Sequence, residues 1–149
     1  METPVKTPVK TPWHLWLIGA VTLLWNAGGV FDYLMTSTRA EFYIKNFTPA
    51  QLDYFSGFPA WTMIGWAVGV WFALLGSALL LWRSRHAVMV FSLSFLGMII
   101  TALYSYLFSG VSIGDLMGPG AIWFSLVVML VGLSLILYAR AMRRRGVLR

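Results

Sequence analysis

The stretch Leu24-Trp25-Asn26-Ala27-Gly28-Gly29-Val30-Phe31-Asp32-Tyr33 decides how this chain is read. It lies in the second half of an apolar run over residues 13–34, and about 20 apolar residues suffice to cross a bilayer. Into that run it brings a primary amide, a carboxylate and a glycine pair set among aromatic rings. Polar groups at membrane depth are costly, so they turn toward a bundle interior or a cleft and mark positions to examine for function.

The composition outside this stretch agrees with a membrane chain. Of 149 residues, 59% are hydrophobic and 11% charged, against roughly a quarter charged in soluble domains; the mean hydropathy is +0.76. Three more apolar runs, 58–82, 87–108 and 121–139, follow the first and leave no room for a separate soluble domain. The fold class expected is therefore all-α, an integral membrane bundle of four transmembrane helices in one domain. Residues 1–12 repeat Thr-Pro-Val-Lys and read as a disordered or polyproline-like tail. No small-residue cleavage site follows the first run, so it is read as a retained span rather than a signal peptide.

Residues 36–57 form the one long polar connection and carry helix punctuation. Thr48, Pro49, Gln51 and Gly57 supply an N-cap, a first-position proline, a capping-box partner and a stop, with Phe47 and Leu52 placed as a hydrophobic staple. A second short helix over 39–45, capped by Thr38 with Glu41 three residues on, is the alternative to a longer first span. Phe42, Tyr43, Phe47, Tyr54, Phe55 and Phe58 make the segment too aromatic for a solvated linker. It is expected to lie at the membrane surface and cap the bundle.

The four residues 83–86 allow only a tight turn, so the second and third spans form an antiparallel hairpin. Gly65, Gly69, Ala73 and Ser77 recur every fourth residue as a small-residue packing ridge, with a shorter counterpart in Gly97, Thr101 and Ser105. Such a ridge serves intrachain packing, a dimer seam or a pathway lining. Residues 110–120 read as a glycine-rich turn, and residues 140–149 as a basic tail with Arg140, Arg143, Arg144, Arg145 and Arg149. With Lys6, Lys10, Arg83 and Arg85 these arginines fall on one side of the membrane, against only Arg39 and Lys45 on the other, which puts both termini in the cytoplasm. The tail attracts anionic headgroups at about 1 kcal/mol per charge and gives no reason to invoke nucleic acid.

The chain also repeats itself faintly. Phe31-Asp32-Tyr33-Leu34-Met35 echoes Tyr104-Ser105-Tyr106-Leu107-Phe108, and Gly57-Phe58-Pro59-Ala60-Trp61 echoes the sequence from Gly118 to Trp123. Duplicated helical hairpins and similar membrane-boundary composition both account for this.

The absence of cysteine excludes disulfides and thiolate chemistry, and His14 and His86 both sit at span ends, so neither a bis-histidine haem nor another cofactor or metal is expected. No embedded His, Glu or Lys is placed to activate a hydroxyl, so an enzyme is not expected. Trp25, Asn26, Asp32 and Tyr33 remain as candidate site residues. In one reading Asn26 ties helices together while Asp32 sits among headgroups. In the other, these four residues line an outward-opening cleft for a small polar solute, stacking on Trp and bonding to amide and carboxylate.

The motifs Pro12-Trp13-His14-Leu15-Trp16, Leu24-Trp25-Asn26, Asp32-Tyr33, Phe47-Thr48-Pro49 and Gly57-Phe58-Pro59-Ala60-Trp61 resemble a family of short four-helix proteobacterial inner-membrane proteins, some of them labelled sugar transporters. The resemblance implies a bacterial inner membrane. The expected function is a packing role, as a homo-oligomer or as an accessory subunit of a membrane assembly; the alternative is transport of a small polar solute such as a sugar.

Overall fold

A computed structural model describes residues 9–149; the expected tail at 1–8 lies outside them. The elements are α1 (Trp13–Ser37), α2 (Glu41–Ile44), α3 (Pro49–Ser56), α4 (Ala60–Leu81), α5 (Ala87–Leu103) ending in a π-helical turn (Tyr104–Phe108), α6 (Ile113–Met117) and α7 (Gly120–Arg144). Four of them are long and apolar enough to cross a membrane, so the fold is an all-α, multi-pass four-helix bundle.

Local chemistry explains most boundaries. At α3 the Thr48 hydroxyl accepts from Gln51 N at 3.2 Å, and Gln51 Oε1 accepts from Thr48 N at 3.0 Å, closing the expected capping box behind Pro49. At α2 the expected Thr38 cap is not made. Thr38 Oγ1 instead donates to Leu34 O at 2.6 Å, closing an α1 that runs to Ser37 rather than residue 34. The chain then reverses through Arg39, whose φ of 51° is left-handed. The glycine-rich turn holds a short helix that sequence reasoning did not anticipate, α6, with Ser112 Oγ accepting from Asp115 N at 3.4 Å.

The basic tail requires a larger correction. α7 continues to Arg144 rather than ending at residue 139, and Gly146, at φ 72°, turns the chain back. Val147 and Leu148 are buried in the core, and Arg149 N donates to Arg83 O at 2.8 Å while Arg85 N donates to Arg149 O at 2.9 Å. Backbone groups at the α4–α5 turn that would otherwise lack partners are thereby satisfied, while the side chains of Arg143, Arg144, Arg145 and Arg149 stay exposed.

The helices pack in the order α1, α4, α5, α7. Lipid tails are as apolar as leucine, so close van der Waals approach and interhelical hydrogen bonds must hold the bundle. The ridge supplies both. Gly65 and Gly69 face Gly97, Met98 and Ile100 of α5, whereas Ala73 and Ser77 face Asn26 of α1. A step of four residues advances about 40° around a helix, so one ridge turns from one neighbour to the other along its length. The closest approach is at Gly97, where an added Cβ would stand 2.5 Å from Gly65 O and 2.6 Å from Gly69 N.

The largest buried cluster lies at the arginine-rich end, where Leu15, Leu80, Phe91, Ile136, Met142 and Leu148 meet. At the other end α2 and α3 form an aromatic cap. Phe55 stacks on Trp66 with centroids 5.8 Å apart, Phe58 meets Tyr104 at 5.2 Å, and Tyr43 bridges Phe31 and Phe47. Gln51 Nε2 donates to Leu116 O at 3.1 Å, joining the cap to α6.

Candidate functional site

The α1–α4, α4–α5 and α5–α7 seams close, but α7 and α1 have no extended contact. The buried residues of α7 are Gly132, Leu135, Ile136, Ala139 and Met142, all in its second half; in the half nearer the cap, which meets α6, no residue is buried. The gap is a cleft of about 490 Å³, walled by α1, α4, α5 and α7. It is shut at the arginine-rich end by the core and by His14 Nδ1 and Tyr138 OH, 2.6 Å apart, which tie α1 to α7. Midway along, Trp25 and Phe124 approach across the opening with centroids 6.2 Å apart.

Three of the four residues singled out in sequence, Trp25, Asn26 and Asp32, line this cleft. Tyr33 does not. It packs edge-on against Trp66, 5.2 Å between centroids, and so supports the wall from behind.

Asn26 is buried and serves both readings at once. Its Nδ2 donates to Ala73 O at 3.2 Å and to Ser77 Oγ at 2.9 Å. Because a carbonyl only accepts, the nitrogen must face α4, which leaves the amide oxygen as the free end. No hydrogen bond reaches that oxygen among the described residues, and unlike the sealed hydroxyls of Thr36 and Thr62 it is not shut away from the cavity. Ser77 passes the network on to Thr22 Oγ1 at 3.2 Å.

Asp32 is tied to the cap. Tyr43 OH donates to Asp32 Oδ1 at 2.5 Å, and this bond, helped by burial and the carboxylate charge, pushes the Tyr43 phenol up to about 12. Tyr54 OH likewise donates to Ser105 Oγ at 2.8 Å, and burial raises its ionisation range. The two phenols of the cap therefore reach the two positions that the sequence echo places in correspondence, Asp32 and Ser105.

No protein-family model, curated protein or solved structure matches the chain.

Sequence reasoning missed much of the opposite wall, including Trp66, Val70, Ser94, Met98, Phe124 and Val128, contributed by α4, α5 and α7. No short motif announces residues that meet only through tertiary packing. Ser94 Oγ is itself committed, donating to Gly69 O at 2.6 Å. Two other hollows differ in kind. A groove of about 490 Å³ on the α4–α5 seam has only apolar and glycine residues on its walls. A crevice of about 210 Å³ under the cap is bounded by Thr36, Arg39, Phe47 and Trp66.

Proposed function

We propose that this protein is a non-enzymatic, multi-pass inner-membrane protein with cytoplasmic termini, and that the cleft between α1 and α7 binds a small amphipathic molecule entering sideways from the bilayer. The observation that carries the proposal is the unclosed seam: α7 and α1 have no extended contact, and the gap between them is a hollow of ligand size, polar at Asn26 and Asp32 and apolar along Leu24, Val70, Met98 and Phe124. Ligand pockets of this kind hold their guests by apolar walls, with a few polar groups fixing orientation.

The orientation rests on the arginines gathered at one end of the bundle, and their exposed side chains suit contact with anionic headgroups. The inner membrane rests on the family resemblance. A sugar, the solute class that resemblance suggests, needs many hydrogen bonds, and the wall supplies few; an amphipathic guest fits better. The packing role, as homo-oligomer or accessory subunit, is favoured by one separate feature, the apolar residues Ile122, Leu126 and Leu130 that α7 leaves exposed.

Gly28 provides the test. It lines the cleft, and a Cβ added there meets no atom within 4 Å, so Gly28→Phe brings a bulky ring to the cleft wall from a position with room for its first carbon. Small amphiphiles that raise the melting temperature of the wild-type protein in neutral detergent should no longer do so in Gly28→Phe, because a ligand stabilises only what it binds. A shift that survives the plug, or the absence of any shift in the wild type, would refute a cleft-binding role.

A further inference from the structure

We infer that the guest of this cleft is an organic cation with an apolar body, held by Asp32 as counter-ion and by the aromatic rings of the wall; the inference rests on the cleft being a binding site. The donor and acceptor inventory of the wall is one-sided. Both Nδ2 protons of Asn26 go to α4, so its oxygen alone faces a guest. The Ser94 hydroxyl gives its proton to Gly69 O. Asp32 can only accept, and one of its oxygens already takes the Tyr43 proton, leaving the other open. The indole N–H groups of Trp25 and Trp66 are the only side-chain donors left among the lining residues.

The charge inventory is more one-sided still. Asp32 is the only ionisable residue of the lining, and no Lys, Arg or His joins it there. Asp32 is half-buried at the cleft wall, and the chain brings no cation to it within the cleft. Trp25, Trp66 and Phe124 share the same wall, and aromatic faces attract ammonium groups through their quadrupole, most strongly where water is excluded. An anionic guest would face Asp32 with no compensating positive group. A neutral guest would leave the carboxylate unpaired. A cation with an apolar body meets acceptors, rings and aliphatic wall together.

Two probes of the same shape separate charge from fit: benzyltrimethylammonium and its neutral carbon isostere, neopentylbenzene. Each is titrated against the full-length protein in neutral detergent, with affinity read from the concentration dependence of the melting temperature. The cation should bind at least about tenfold more tightly than the isostere, a difference of about 1.4 kcal/mol. Asp32→Asn, which retains an acceptor for Tyr43, should erase that advantage and leave the isostere unchanged, while Asp32→Glu should preserve it. Gly28→Phe should abolish binding of both. Equal affinity for the two probes, or an unaltered cation affinity in Asp32→Asn, overturns the cation assignment while leaving the cleft reading intact if Gly28→Phe still blocks binding. Failure of both probes to bind, or binding that persists in Gly28→Phe, overturns the cleft reading and the cation assignment with it.

Discussion

Replacing Gly97 by alanine adds one methyl group at the tightest point of the bundle. Its carbon would stand 2.5 Å from Gly65 O, 2.6 Å from Gly69 N and 3.1 Å from Gly69 Cα, all backbone atoms that no rotamer change can move. Non-bonded heavy atoms settle at about 3.5 to 4.0 Å, so α4 and α5 must part by about 1 Å along this seam, and a gap of that size forfeits a quarter to a half of each contact's attraction. The Ser94 Oγ to Gly69 O bond, 2.6 Å long, crosses the same seam and must stretch with it. Overpacking typically costs about 1 to 3 kcal/mol, and a purely backbone obstacle places Gly97→Ala at the upper end. For a chain of this size that corresponds to a melting temperature lower by about 6 °C or more, read by thermal denaturation in detergent. Gly28→Ala is the matched control: it adds the same methyl to a helix interior where nothing lies within 4 Å, and helix propensity alone should raise stability by about 0.5 to 1 kcal/mol. If Gly97→Ala melted with Gly28→Ala, the close approach of α4 and α5 described above would be wrong.

Two further outcomes follow from the polar contacts of α1. Asn26→Leu removes both ties to α4 and should lower stability in detergent by about 1 to 2 kcal/mol; an unchanged melting temperature would show that Asn26 does not hold the helices together. Tyr43 should titrate at about 12, seen as the phenolate absorbance missing from Tyr43→Phe, and Asp32→Asn should bring it back toward the ordinary value near 10. Because the folded-state value is raised, the stability contributed by this bond is complete below pH 10 and lost as pH rises through about 12. A Tyr43 phenol that ionised near pH 10 in the intact protein would contradict the Asp32 bond.

Much of this architecture is legible in the residues. Length and apolarity of four runs dictate four spans, and the Thr48-Pro49-Ala50-Gln51 signature specifies α3 because capping is a local transaction between neighbours. The ridge on α4 was also readable, but its division between α5 and α1 was not, since that depends on how two neighbours sit around one helix. Gly97 shows the same limit: a lone glycine in an apolar run does not declare that a backbone lies against it. At the chain's end, arginine-rich sequence obscured the burial of Val147 and Leu148, which arises from a left-handed turn at Gly146 and pairing with a distant loop. In the site, Trp25, Asn26 and Asp32 stood out because polarity is rare at membrane depth. Phe124 and Val128 did not, being ordinary lipid-span residues until the fold sets them opposite α1.

The uneven attachment of α7 has a mechanical consequence. One end is pinned by His14, by the buried Val147 and Leu148 and by the backbone pairing of Arg149, while none of its first twelve residues is buried. A rigid rod held at one end converts small angles into large displacements. With the unburied residues 120–131 rising about 1.5 Å each, a rotation of about 10° where the buried part begins carries the end of the helix roughly 3 Å, about the thickness of an aromatic ring. Slight loosening at the pivot therefore changes the spacing of Phe124 and Trp25, with no helix unwound.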